Sequence, residues 1–346
     1  MTEATTIGID LAKSVFQVHG ADATGAAVVK RQLKRREVIA YFTKLPPCLI
    51  GMEACGTAHY WARELTKLGH AVKLMPPSYV KAYLKRGKTD AADAAAICEA
   101  VSRQSIRVVP IKTIEQQSLL ILHRTRDMLV SSRTRMSNAL RGHMSEFGLA
   151  APVGGEGLAT LIAIVENTED VRLTPIARLG LGTLVAELGS LGRQIATLDR
   201  AMLAAHKGNE TSRRLESIPG VGPVLATAVT ATVGEPGVFK SGRAFAAWLG
   251  LTPRITGTGG KTSLGPITKQ GDRYLRRLLV GGATAVLRQA RIRPDKHPLA
   301  ASLLGRMAFK QAAVALANKN ARTIWALMAR GGTYTANHRS VALGAA

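Results

Sequence analysis

The first hundred residues alternate between short apolar runs of strand character and longer runs of helical spacing. TTIGIDLA (5–12), SVFQVHGA (14–21) and AAVVKRQL (26–33) predict three strands, rich in β-branched residues with Gly and Asp at the breaks. REVIAYFTKL (36–45) has helical spacing and stops at Pro46–Pro47. CLIGMEA (48–54) predicts a buried strand, HYWARELTKLG (59–69) a helix and HAVKLMPP (70–77) a fifth strand. PSYVKAYLKRG (77–87) then leads into an alanine-rich helix through GKTDAADAAAICEA (87–100).

The order β-β-β-α-β-α-β-α is that of an RNase-H-like mixed sheet, in which the first strand lies beside the fourth. Beyond it, residues 114 to 143 carry apolar positions at spacings of three and four, with mostly Arg between them. A Gly/Pro-containing loop (151–157) separates this helix from a second long one, 177–207, and the two could pair as an antiparallel arm or as a dimer coiled coil. In RRLESIPGVGPVLATAVTATVG (213–234) one helix breaks at Pro219-Gly220-Val221-Gly222 and an apolar helix follows at once. The remaining pattern is a small-residue helix (243–250), a Gly/Thr/Lys-rich loop (252–271), a basic helix (272–290) and an Ala-rich helix (308–330), with a disordered C-terminal end expected.

Composition narrows the function. The chain has 346 residues, enough for two or three packing units, and 47 Lys+Arg against 23 Asp+Glu give a net charge of +24. So large an excess, spread over Lys30–Arg36, Arg124–Arg141 and Arg273–Arg277, suits a long polyanionic partner, because neutralised phosphates release condensed counterions. No apolar run reaches the length of a membrane span, and no basic amphipathic helix with aromatic anchors points to a lipid surface. The three cysteines, Cys48, Cys55 and Cys98, include no C-x-x-C pair, so neither a disulfide framework nor a zinc knuckle is expected, and a reducing cytoplasm is the natural setting. Cys55 reads as a small core residue, and His59 and His70 as helix and loop polar residues.

Four carboxylates stand out. Asp10 ends the first strand and Glu53 the fourth, so neighbouring strands would deliver both to one sheet edge. Asp90 and Asp93, three apart on a helix, share a face that can turn to the same edge. Four such groups together repel unless neutralised. Two divalent cations about 3.5–4 Å apart would do so and would clamp the oxygens of a phosphodiester; oxygen donors select Mg²⁺ or Mn²⁺. The competing reading for Asp90 is a helix cap beside Thr89. GIDLAKS is also similar to the phosphate loop of actin-like ATPases, but Ala12-Lys13 replaces the Gly-Thr-rich turn and no second Gly-rich loop accompanies it.

The Ile218–Gly222 break reads as a helix-hairpin-helix, with Pro219, Gly220 and Gly222 bringing backbone N–H groups to a phosphate; a tight interhelical turn is the alternative. The 253–271 stretch, with Arg254, Lys261 and Lys269, reads as a linker, a phosphate nest or an ordered loop bearing a hydroxyl nucleophile, and the flanking helices favour the last. Arg273, Arg276 and Arg277 on the next helix extend the basic surface.

GIDLAKSVFQVHG, GMEACGTAHYWARELTKLGH, KTDAADAAAICEAV, SIPGVGP, AAWLGLTPR and ITKQGDRYLRRLLV together make the chain resemble, over essentially its whole length, the DEDD transposases of bacterial insertion sequences, the bridge-RNA-guided recombinases. The resemblance implies a RuvC-like domain at 1–112 with Asp10, Glu53, Asp90 and Asp93 as tetrad, a helical arm at 113–207 and a mostly α transposase domain at 208–346. It implies a structured guide RNA, donor and target DNA, a dimer or tetramer, a hydroxyl nucleophile that forms a covalent ester with DNA, and action at the nucleoid. Here the chain departs from the pattern: the family's Ser-Ser or Ser-Thr before Gly-Gly-Lys is Gly257-Thr258, which leaves Thr258, Ser263 or no nucleophile at all. A Mg²⁺-dependent junction endonuclease and a catalytically silent RNA/DNA-binding protein are the other functions compatible with these residues.

Overall fold

The computed structural model describes residues 3–84, 89–258 and 261–335. The chain divides into two units, residues 1–114 and 115–346.

In the first unit, β1 (Thr6–Leu11), β2 (Val15–Ala21) and β3 (Ala27–Lys34) form an antiparallel meander, followed by the short helix α1 (Val38–Phe42). Then come β4 (Leu49–Glu53), α2 (Ala58–Lys67), β5 (Ala71–Met75), α3 (Pro77–Val80) and α4 (Asp90–Ser102). The sheet order is β3-β2-β1-β4-β5, with β4 parallel to both β1 and β5, so the expected mixed RNase-H-like sheet forms with the first strand beside the fourth. Side chains alternate across a strand. Ile7, Ile9, Phe16, Val18, Ile50 and Met52 enter the core that is closed by Val38, Phe42, Trp61 and Leu65 of α1 and α2. His70 is buried beneath it, its Nε2 3.1 Å from the Phe42 carbonyl and its Nδ1 accepting from the Cys48 N–H at 3.3 Å.

The other sheet face carries α4, and glycines decide how close it lies. A Cβ added at Gly8 would stand 2.3 Å from the Ala94 carbonyl oxygen and from Cys98 N, and one at Gly51 would stand 2.7 Å from Val101 Cβ. Each glycine precedes a carboxylate by two residues, in Gly8-Ile9-Asp10 and Gly51-Met52-Glu53. Period-two alternation therefore puts Asp10 and Glu53 on the face that receives the helix.

The second unit begins with α5 (Ile114–Ser145), α6 (Gly155–Glu166) and α7 (Pro175–Gly208). Leu140 and Met144 of α5 pack with Leu161 and Val165 of α6 and Leu181 and Leu188 of α7, while the Arg126–Asp199 ion pair ties the other ends of α5 and α7. The long helices are thus antiparallel within one chain. The apolar stretch that forms α6 is an element the sequence pattern did not set apart; its Leu161 and Val165 join the core between α5 and α7.

The rest of the unit comprises α8 (Glu210–Glu216), α9 (Pro223–Val233), α10 (Gly242–Trp248), β6 (Pro253–Thr258), β7 (Lys261–Ile267), α11 (Arg273–Ile292), α12 (Pro298–Arg306) and α13 (Phe309–Arg330). Its core joins Leu225 and Val229 of α9, Phe245 of α10, Leu279 and Leu287 of α11 and Leu316 and Ile324 of α13. The stretch expected as a loop between α10 and α11 is a two-stranded hairpin, with Ile255 opposite Leu264 and Thr256 opposite Ser263. Ile255, Thr256, Thr262 and Ile267 supply β-branched strand propensity there, and two glycines separate the strands in sequence. Among the described residues no helix is long and apolar enough to cross a membrane. The C-terminal stretch expected to be disordered falls, from residue 336 on, outside the described residues.

Candidate nucleic-acid-processing site

Asp10 enters the site from the end of β1, and Ile9 pairs with Met52, which brings Glu53 alongside it on β4. Thr89 starts α4: its hydroxyl accepts from Ala92 N at 3.2 Å, so the cap is Thr89 and the competing reading of Asp90 as the cap does not hold. Asp90 and Asp93 are thereby free for another use, both in the first turn of α4. Carboxylate oxygens of Asp10, Asp90 and Asp93 lie within 4.8 Å of one another. Glu53 stands outside that trio yet close enough for its charge to be felt at Asp10.

The electrostatics follow from the geometry. Burial, then Asp93, Asp90 and Glu53, push the Asp10 carboxyl up from 3.8 to about 6. Glu53 is also raised, by burial first and Asp93 second. Asp10, Asp90 and Asp93, with Glu53 beside them, form an all-oxygen donor set, and hard divalent cations fit it.

Other predicted residues divide into those the fold already uses and those it leaves exposed. Gly220 has φ +85° and lies against α11, where an added Cβ would be 2.8 Å from the Gly282 carbonyl oxygen. Packing therefore requires this glycine whatever its relation to phosphate. Asn320 Nδ2 donates to the Pro219 carbonyl at 2.9 Å, and Gly222 is exposed with no atom within 4 Å of its added Cβ. Arg276 donates to the Leu249 and Gln270 carbonyls at 3.0 and 2.8 Å, and Arg277 pairs with Asp127, so both have structural partners. Arg254, Lys261, Lys269 and Arg273 are exposed; Lys269 adopts φ +57°. Ser263 lies in mid-strand on the exposed β7, and Thr258 pairs through its backbone with Lys261. The Thr258 side chain, Gly259 and Gly260 are outside the described residues. Cys55 is exposed, which corrects its assignment to the core: it follows the end of β4 at the turn into α2.

Sequence reasoning missed the two glycines that seat α4. Their signal is Gly two residues before the carboxylate on each of two adjacent strands. It also missed a groove beside Asp10, lined by Gln17 and His19 of β2, Lys30 and Gln32 of β3 and the Ala91, Ala92 and Ala95 side of α4.

Residues 7–148 match a DEDD transposase family of the IS110 type, described as Transposase, and residues 212–297 match the Transposase IS116/IS110/IS902 family. A Pseudomonas aeruginosa protein named "Probable family 20 transposase" is 49% identical over 94% of this chain and 96% of its own length. The transposase for insertion sequence element IS1111A of Coxiella burnetii is 39% identical over 96% of this chain and 92% of its own. That for IS1328 of Yersinia enterocolitica is 36% identical over 97% of this chain and all of its own length.

Proposed function

The chain belongs to the IS110 family of insertion-sequence transposases, and on that footing we propose that it cuts and rejoins donor and target DNA under the direction of a structured guide RNA. The observation that carries the proposal is the convergence of Asp10, Asp90 and Asp93, with Glu53 on the neighbouring strand.

The four carboxylates would hold Mg²⁺ or Mn²⁺, two ions in all. Once bound, the ions supply Lewis-acid stabilisation of charge developing on the phosphate. The protein's own contribution is placement. Asp10 and Glu53 are fixed by sheet backbone, and Asp90 and Asp93 by a helix that Gly8 and Gly51 allow to lie flush.

Thr258 is our candidate nucleophile, because it stands immediately before Gly-Gly-Lys and pairs with Lys261 at the hairpin end. Its hydroxyl oxygen would form a bond to phosphorus as the bond from phosphorus to one bridging DNA oxygen breaks. The hydroxyl proton passes to solvent, and the departing oxygen takes a proton in turn. The resulting threonyl–DNA ester conserves the bond energy for rejoining. Ser263 is the alternative hydroxyl. In this reading a dimer or tetramer of the chain brings the acidic cluster and the hairpin to one phosphate, and the work is done in the cytoplasm at the nucleoid.

The test is trapping on nicked suicide DNA in Mg²⁺. A covalent protein–DNA adduct, lost in Asp10→Asn, is expected. Nicking without an adduct would replace this proposal with a hydrolytic endonuclease, and binding without cleavage would reduce the chain to a nucleic-acid-binding protein. Sequencing of co-purified RNA tests the guide: a single structured species is expected, and RNA of random sequence would remove that part.

A further inference from the structure

The groove beside the acidic cluster has a chemistry opposite to its neighbour's. We propose that it holds the sugar–phosphate backbone of the DNA strand flanking the phosphate that is cut, a role that rests on the reading above.

The registers lay out the groove floor. Asp10 pairs with Gln17, and Gln17 with Gln32; Gly8 pairs with His19, and His19 with Lys30. Residues directly opposite on adjacent strands project from the same face, so one polar row runs from Asp10 toward the sheet edge and a second, from Gly8 through His19 to Lys30, runs beside it. At about 4.8 Å per strand, Gln32 lies roughly 10 Å from Asp10. Consecutive phosphates on one strand stand further apart than the ~3.4 Å axial rise per charge, so this span matches about two phosphates.

The opposite wall is α4, which presents alanines to the groove. Ala91, Ala92 and Ala95 face the groove, while Asp90 and Asp93 belong to the carboxylate cluster. Larger residues at the three alanines would fill the space. As it stands the groove encloses about 410 Å³, within the ~300–1,000 Å³ of ligand sites. Among the described residues its lining holds Lys30, Arg31, two glutamines and a histidine and no carboxylate, a donor-rich surface suited to phosphate oxygens. An edge-strand lysine also blocks unwanted strand pairing. That role alone would leave DNA affinity untouched, which makes the two separable.

The experiment uses the full-length chain and a fluorescein-labelled branched DNA, with anisotropy read across a salt series. Lys30→Glu is compared with Lys44→Glu, an exposed charge reversal away from the groove. Lys30→Glu should weaken binding several-fold more than the control. Loss of one phosphate contact should also flatten the slope of log affinity against log salt by about 0.7–0.9. Between 50 and 200 mM salt that is roughly a threefold smaller loss of affinity. Gln32→Lys should tighten binding and steepen the slope, an answer that survives even if Lys30→Glu folds poorly. Equal behaviour of Lys30→Glu and Lys44→Glu, or no gain from Gln32→Lys, overturns the groove assignment. Loss of RNA affinity with DNA affinity intact overturns the choice of DNA. Asp10→Asn separates the two claims: if it still cleaves, the functional reading fails, whereas if it is dead and the groove variants bind like their controls, only the groove fails.

Discussion

Substituting Gly8→Ala perturbs the acidic cluster without touching a carboxylate. The new methyl would meet the Ala94 carbonyl oxygen and Cys98 N at 2.3 Å. Both are backbone atoms of α4, so no rotamer change relieves the clash. Restoring an ordinary contact of 3.4 Å from 2.3 Å requires α4 to move about 1 Å from β1. Overpacking of this kind costs about 1–3 kcal/mol, which in a unit of this size lowers its melting temperature by roughly 5–15 °C. The same shift carries Asp90 and Asp93 away from Asp10, and misplacement by ~1 Å can cost on the order of 10²-fold in rate. Calorimetry and divalent-dependent nicking of labelled DNA read the two effects. Gly56→Ala, whose methyl meets nothing within 4 Å among the described residues, serves as the neutral comparison. A Gly8→Ala protein with the parent's melting temperature and cleavage rate would refute the proposed seating of α4.

Further predictions concern other groups. Asp10→Asn removes a half-buried charge from among like charges, so the metal-free chain should melt a few degrees higher than the parent; Mg²⁺ should stabilise the parent and not the variant. An unchanged melting temperature together with a retained Mg²⁺ effect would count against the cluster. Buried His123, with Nδ1 3.0 Å from Tyr274 Oη and Nε2 3.1 Å from Thr227 Oγ1, is pushed down from 6.5 to about 4 by burial and then Arg126. The unfolded chain therefore binds a proton first as pH falls. This contribution to stability is present above 6.5 and lost toward 4, on the order of 3 kcal/mol. Urea midpoints should fall more steeply with acid in the parent than in His123→Gln, and parallel curves would disprove the assignment. Thr258→Ala should abolish the covalent adduct and Ser263→Ala should keep it, with peptide mapping as the check; the reverse pattern would move the nucleophile to Ser263.

The first unit was legible in the sequence because strand alternation and carboxylate position are coupled. A β-branched run ending in Asp10 and another ending in Glu53 yield the sheet order once the strands are parallel neighbours. Sequence left the cap open because Thr89 and Asp90 are adjacent and both are competent; only the Ala92 N–H contact separates them. The 253–267 hairpin was read as a loop because glycine and threonine content masked an Ile255–Leu264 cross-strand pair, both members of which are exposed. A ribbon with no buried face lacks the alternation that betrays most strands. The roles of Arg276 and Gly220 were hidden for another reason: their partners, Leu249, Gln270 and Gly282, are set by tertiary packing and have no local signature. Charge excess pointed to a polyanion but could not say which arginines the fold had already engaged.

Binding of Mn²⁺ to the full-length chain, followed by electron paramagnetic resonance, bears most directly on the central claim. Saturable binding at about two ions per chain, sharply weakened in Asp10→Asn and in Asp93→Asn, is the predicted result. Failure of the parent to bind, or undiminished binding in both variants, would mean that these carboxylates converge for a reason other than holding metal.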